Sequence, residues 1–166
     1  EVMLKRFLSV IGAYKLYEKW LWHQVNNGVK LEHIAIILDG NRRWASENSL
    51  DPWFGHEMGA EKVDQLLDWC QKLDVKSITL YAFSTENFGR SKNEVEEIMH
   101  IAEEKFRGIL TDERIHKNKV RVKVIGRVNL LPESLQQLIM DVEKATQNYH
   151  EQFLNIAFAY GGRAEI

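Results

Sequence analysis

The sequence lacks several features that identify common functions. It holds one cysteine, Cys70, in 166 residues. That excludes an internal disulfide and a cysteine-built zinc site, and it fits a reducing, cytoplasmic compartment. No apolar run approaches the ~20 residues that span a bilayer. No short apolar stretch leads into a small-residue cleavage site. No GxGxxG follows the first strand-like run, no GxxxxGK[ST] occurs, and no serine or cysteine sits in a nucleophile elbow. Dinucleotide dehydrogenases, P-loop enzymes and triad hydrolases are therefore disfavoured. Net charge is also scarce: 22 Lys and Arg face 24 Asp and Glu, giving a formal −2. That balance gives no global field for nucleic acid, so no nucleic-acid partner is expected and any phosphate site must be local.

What is present describes one globular α/β unit. Apolar residues make up 45% and charged residues 28% of a 19.4 kDa chain, enough for a single domain with a real core. Four short β-branched or apolar runs read as buried strands: His33–Leu38, Lys76–Phe83, Val120–Gly126 and Phe153–Tyr160. Helical stripes lie between them. Ala60, Val63, Leu66, Leu67 and Cys70 form one within Gly55–Leu73. Val95, Ile98, Met99, Ala102, Phe106 and Ile109 form another within Ser91–Leu110, where Ser91 followed by Glu94 predicts a capping box. Pro132 predicts the first turn of a third helix carrying Leu135, Leu138, Ile139 and Val142. The alternation implies a mostly parallel central sheet with helices on both faces.

The first thirty residues differ from the rest. Leu4, Phe7, Leu8, Ile11, Tyr14, Tyr17 and Leu21 recur at helical spacing, beside Trp20, Trp22 and several lysines. This predicts an amphipathic helical segment over 1–30 ahead of an α/β domain over 31–166. Such a helix can lie on a membrane surface, or it can dock on the protein's own core or on a partner.

In a parallel sheet, ligands sit beyond the carboxyl ends of the strands. The first strand runs into Asp39-Gly40-Asn41-Arg42-Arg43-Trp44, and the second into Ser84-Thr85-Glu86-Asn87-Phe88-Gly89-Arg90. The third runs into Gly126-Arg127, and the fourth into Gly161-Gly162-Arg163. Asp39 can bind a hard cation such as Mg²⁺ shared with substrate phosphates, or it can simply cap a helix. Gly40 and Asn41 permit a tight turn whose free N–H groups could hold a phosphate. Arg42, Arg43 and Arg90 are forked donors suited to phosphate oxygens. His56 opens the helical stripe of Gly55–Leu73 at the same edge. One carboxylate, one histidine and several arginines on one edge describe a diphosphate site with a metal. The aliphatic faces of the two long helices could wall a tunnel for an apolar substrate, although core packing accounts equally for each residue taken singly.

Four segments carry a resemblance. His33-Ile34-Ala35-Ile36-Ile37-Leu38-Asp39-Gly40-Asn41-Arg42-Arg43-Trp44 resembles the first signature of the cis-prenyltransferases, the undecaprenyl and dehydrodolichyl diphosphate synthases. Gly55-His56-Glu57-Met58-Gly59, then Tyr81 through Ser91, then Phe158-Ala159-Tyr160-Gly161-Gly162-Arg163 resemble the family's further motifs in order. The resemblance implies Mg²⁺-dependent addition of isopentenyl diphosphate to an allylic diphosphate such as farnesyl diphosphate, with Z double bonds in the product. It implies that Asp39 is the metal-linked carboxylate. Gly40, Asn41, Arg42, Arg43, Trp44 and His56 would then serve the allylic diphosphate pocket. Ser84, Thr85, Glu86, Asn87, Phe88 and Arg90 would shape the reacting centre. The acceptor of the lost proton stays open between Asn87 and a substrate phosphate oxygen. The resemblance further implies a homodimer, or a heterodimer with a related subunit, and allows peripheral membrane contact.

Three departures stand out. The family usually places arginine where this chain has Pro52, and often tryptophan where it has Phe88. The family also continues through an arginine- and serine-bearing segment that binds isopentenyl diphosphate, and that segment is not among these 166 residues. The 166 residues alone are accordingly expected to be inactive. The rival readings are a non-catalytic accessory subunit and a phosphate-binding module. Asp39 with its DGNRR run argues against the accessory subunit, and Mg²⁺-dependent diphosphate release would separate the enzyme from both.

Overall fold

The computed structural model describes residues 13–166. The chain divides into two units, 1–31 and 32–166. In the first, helix α1 spans Ala13–Asn27, and Tyr17 stacks on Trp20 with ring centroids 5.9 Å apart. The predicted stripe positions Leu4, Phe7, Leu8 and Ile11 lie outside the described residues. No described helix is long and apolar enough to cross a membrane.

The second unit is built on four strands: β1 (His33–Ile37), β2 (Ser77–Ser84), β3 (Val120–Ile125) and β4 (Gln152–Tyr160). Their order in the sheet is β1-β2-β4-β3, and every neighbouring pair is parallel. Between β1 and β2 come the short α2 (Asn41–Glu47) and the long α3 (Pro52–Lys72). Between β2 and β3 come a 3₁₀ turn (Thr85–Gly89), α4 (Lys92–Thr111) and α5 (Glu113–Lys117). A second 3₁₀ turn (Val128–Leu130) and α6 (Glu133–Thr146) precede β4, and α7 (Gly162–Glu165) follows it. Pro132 is the cap residue of α6 rather than part of its first turn. Pro52 does open α3, where its missing N–H costs nothing because a first-turn donor has no partner within the helix.

Side chains alternate across a strand, and the alternation of burial is clearest in β3 and the first half of β2. Ile78 and Leu80 of β2, Val122 and Val124 of β3, and Leu154 and Phe158 of β4 join one core with Cys70 of α3, Met99 and Phe106 of α4, and Leu135 of α6. Phe83 stacks on Phe158 at 5.2 Å, and Phe88 meets Phe83 edge-on at 4.9 Å. Each such buried ring contributes about 1.5–3 kcal/mol by leaving water.

The helices were expected on both faces of the sheet. Within residues 32–166, α3, α4 and α6 join the strands in one core, and α6 also covers the β3 edge of the sheet. Strand β3 is an edge strand, so alternate N–H groups point away from β4 and need partners. Thr146 Oγ1 accepts from Val122 N at 3.1 Å, and Glu143 Oε1 accepts from Val124 N at 2.8 Å, both from α6. The other face stays partly open. There His33 Nε2 lies 2.8 Å from Thr79 Oγ1, and Asn155 Nδ2 donates to the same hydroxyl at 3.3 Å.

Candidate functional site

The four strands end at one edge, and the polar residues that follow β1 and β2 gather there. Strand β1 leaves the sheet with one last bond, from Leu38 N to Tyr81 O at 3.0 Å. Asp39 Oδ1 then accepts the Gly40 N–H at 2.6 Å. Gly40 caps α2 with φ 91°, a left-handed conformation that L side chains rarely adopt. The turn brings Asn41 against the first part of α3, and two glycines make that approach possible. A Cβ on Gly55 would run into the Asn41 carbonyl, and one on Gly59 would lie 2.6 Å from Asn41 Oδ1. The pair at positions i and i+4 thus clears one strip of α3 for Asn41.

Asp39, Gly40, Asn41, Arg42, Arg43, His56 and Arg90 line one pocket of about 190 Å³. Leu38, Asn41 and His56 also border a second cavity of about 490 Å³. That cavity runs between α3, α4 and the sheet, lined by Val63, Leu67, Ile98, Phe106, Leu80 and Ile156 among others. A charged recess therefore opens directly onto an apolar one. Sequence reasoning could not separate these aliphatic residues from ordinary core, because periodicity locates a buried face but not a gap within it.

The remaining predicted residues take different positions. Glu86 and Asn87 border a groove with Arg42, Pro52 and Arg90. The Asn87 carbonyl oxygen already accepts the Ser84 N–H at 2.9 Å, and Ser84 Oγ accepts the Glu86 N–H at 3.1 Å. This is a capping box for the 3₁₀ turn. That bond fixes the Asn87 side chain and leaves its amide NH₂, which can donate a hydrogen bond but cannot take up a proton, without a protein acceptor among the described residues. Phe88 is turned to the core against Phe83. Trp44, Ser84, Thr85 and Phe88 line none of these three recesses.

One residue was missed. Glu94, read from sequence as half of a capping box, does cap in part: its N–H reaches Ser91 Oγ at 3.3 Å. Its carboxylate goes elsewhere. It is nearly buried, and its Oε1 lies 3.0 Å from Arg90, 3.1 Å from His56 Nε2 and 3.4 Å from Arg42 Nε. Burial is the main cause that holds the His56 imidazole below its ordinary pKa. Arg90 and Arg42 push the same way, and the hydrogen bond to Glu94 opposes them. His56 therefore stays neutral near pH 7.

Among the described residues, no group of three or more acidic, histidine or cysteine side chains is placed to hold a metal. Asp39 alone offers an exposed carboxylate beside the anion pocket. A single carboxylate fits Mg²⁺, which commonly takes one or two from the protein and shares its other positions among waters and substrate phosphates.

Comparisons with known proteins agree with this geometry. Residues 37–166 match the family model described as "Putative undecaprenyl diphosphate synthase". A tritrans,polycis-undecaprenyl-diphosphate synthase (geranylgeranyl-diphosphate specific) from Pyrococcus horikoshii is 51% identical over 154 residues, covering 93% of this chain and 58% of that protein. The protein of the same name from Thermococcus kodakarensis is 48% identical over 170 residues, covering 99% of this chain and 64% of its own length. This chain thus spans about three fifths of the length of these curated relatives. A crystal structure of lavandulyl diphosphate synthase from Lavandula x intermedia, in complex with dimethylallyl diphosphate, superimposes with a TM-score of 0.77 at 33% identity. It covers 82% of this chain and 58% of that one. A structure of a probable undecaprenyl diphosphate synthase from Campylobacter jejuni gives a TM-score of 0.66 at 29% identity, covering 83% of this chain and 58% of that one.

Proposed function

The chain belongs to the undecaprenyl diphosphate synthase family of cis-prenyltransferases, and from that premise we propose that it carries the allylic-substrate half of a Z-polyprenyl diphosphate synthase. The observation that carries the reading is the junction of the two recesses. A pocket with three arginines and one carboxylate shares Leu38, Asn41 and His56 with an apolar cavity. The ligand that fits both has an anionic head and a hydrocarbon tail, which describes a prenyl diphosphate.

In this reading, Arg42, Arg43 and Arg90, with the α2 amides after Gly40, take the diphosphate. Preorganised donors of this kind stabilise charge as it develops on the leaving diphosphate during allylic C–O cleavage. Asp39 would hold Mg²⁺, which supplies further positive charge to the same oxygens. The apolar cavity keeps water from the allylic cation while the double bond of isopentenyl diphosphate attacks C1. The proton then released goes to a substrate phosphate oxygen, because the neutral Asn87 amide is only weakly basic. The names of the curated relatives favour geranylgeranyl diphosphate over farnesyl diphosphate as primer. We further read the enzyme as a dimer that works in the cytoplasm at the membrane surface, with the aromatic and lysine residues of α1 as the contact.

The test is isopentenyl incorporation by the full-length protein with either primer, in Mg²⁺, in EDTA, and with Asp39→Ala. Elongation that needs both Mg²⁺ and Asp39, with at least a roughly 100-fold loss in the variant, is expected. Elongation unaffected by EDTA or by Asp39→Ala would refute the assignment.

A further inference from the structure

We propose that Glu94 is the positioning residue of the anion pocket: one buried carboxylate oxygen holds Arg42, Arg90 and His56 together so that the remaining N–H groups of the two arginines converge on a diphosphate. The proposal deepens the reading above and rests on it for the identity of the ligand.

The geometry goes beyond what a helix cap requires. A capping box would return the Glu94 carboxylate to the Ser91 N–H. Instead Oε1 faces three cationic or donor groups that come from three other places in the chain: Arg42 on α2, His56 on α3, and Arg90 just before α4. Burying a carboxylate costs several kcal/mol unless its partners are close and well aimed. Here the cost is offset by those three contacts and by the N-terminal end of α4, where Glu94 is the third residue.

The arginines are not used up by this arrangement. Arg90 reaches Glu94 and His56 through NH1 alone, and Arg42 reaches Glu94 through Nε. Among the described residues, their other guanidinium nitrogens make no hydrogen bond. A guanidinium carries five N–H donors in a rigid plane, so fixing one edge orients the other. Arg42 is 59% exposed, and without an anchor it would sample solvent. Two arginines and one carboxylate leave a surplus of positive charge, which the ligand completes.

This role makes an unusual prediction about sign. A carboxylate that merely screened the pocket would repel a diphosphate, and its removal would tighten binding. A positioning carboxylate does the opposite. Inorganic pyrophosphate binding with Mg²⁺ is measured on the full-length protein, wild type against Glu94→Gln and Glu94→Asp, with thermal melting as the folding control. For Glu94→Gln, affinity should fall roughly 10- to 100-fold, the scale of one or two charge-assisted hydrogen bonds. In steady-state elongation the loss should appear mainly in KM for the allylic diphosphate, and Glu94→Asp should recover part of it. Unchanged or tighter pyrophosphate binding by folded Glu94→Gln would overturn the proposal. If Glu94→Gln does not fold, Glu94→Asp decides: a several-fold weaker affinity supports the proposal and an unchanged one overturns it. Glu94-dependent pyrophosphate binding by a protein that never elongates a prenyl chain would retain the positioning role and refute the enzyme.

Discussion

Two arginine–carboxylate clusters sit at opposite ends of the α3–α4 layer, and they are built in opposite proportions. At the strand-end site, one carboxylate, Glu94, faces two arginines. At the far end, one arginine, Arg114, faces two carboxylates: its NH1 reaches Asp68 at 2.6 Å and its NH2 reaches Asp112 at 2.7 Å. Its Nε also donates to Asp112, at 3.1 Å. Every nitrogen of Arg114 is therefore occupied, whereas those of Arg42 and Arg90 are mostly not. The hydrogen bond to Asp112 raises the Arg114 pKa, and the same bond lowers that of Asp112. A closed cluster ties α3, α4 and α5 together. An open one, with surplus cationic donors, waits for an anion.

The contrast is broken most severely by truncating the arginines. Arg90→Ala should weaken inorganic pyrophosphate binding roughly 10- to 100-fold and also lower the melting temperature, because the buried Glu94 carboxylate loses its nearest partner. Arg114→Ala should leave pyrophosphate affinity as it is. An affinity loss in Arg114→Ala as large as in Arg90→Ala would erase the distinction. The second effect is smaller and lies in stability. Arg114 is 44% exposed, so solvent screens its ion pairs, and its truncation should cost about 0–1 kcal/mol in denaturant unfolding. The smallest is a pH effect at the open cluster. His56 has its pKa lowered in the folded protein, so as pH falls below its ordinary 6.5 the unfolded chain takes the proton first. Stability from this group is full above that pH and declines below it, until folded His56 titrates as well. Glu94, Arg90 and Arg42 touch His56, and Asp39 and Arg43 share its pocket. Melting of wild type and His56→Asn between pH 7.5 and 5.5 should show the shallower slope in the variant. Parallel slopes would mean that burial does not hold the imidazole neutral.

Much of the fold was legible because its signals are local. Two neighbouring isoleucines in β1, the β-branched runs of β2 and β3, and the helical stripes of α3, α4 and α6 all fall where the patterns put them. The strand-end rule then placed Asp39, Arg42, Arg43, His56 and Arg90 at one edge without coordinates. What was hidden depends on the fate of single side chains. Glu94 looked like a cap because the Ser91–Glu94 spacing is a capping signal, and no local pattern says which way its carboxylate turns. Phe88 sits in a motif, yet its ring packs on Phe83. The two faces of the sheet could not be told apart because an apolar stripe shows that a helix packs, not which face of the sheet it covers. The cavity was invisible for a different reason, since a lined gap and a filled core are written with the same aliphatic residues.

The central claim is that one ligand spans both recesses, head in the arginine pocket and tail between α3 and α4. Calorimetric binding of farnesyl diphosphate and of inorganic pyrophosphate, to wild type and to Val63→Trp, tests it directly. Wild type should bind the prenyl diphosphate at least about 100-fold more tightly, since each buried methylene contributes about 0.8 kcal/mol. The indole should fill the cavity and remove most of that advantage while pyrophosphate still binds as before. Equal affinities in wild type, or an equal loss of both ligands in Val63→Trp, would contradict the account.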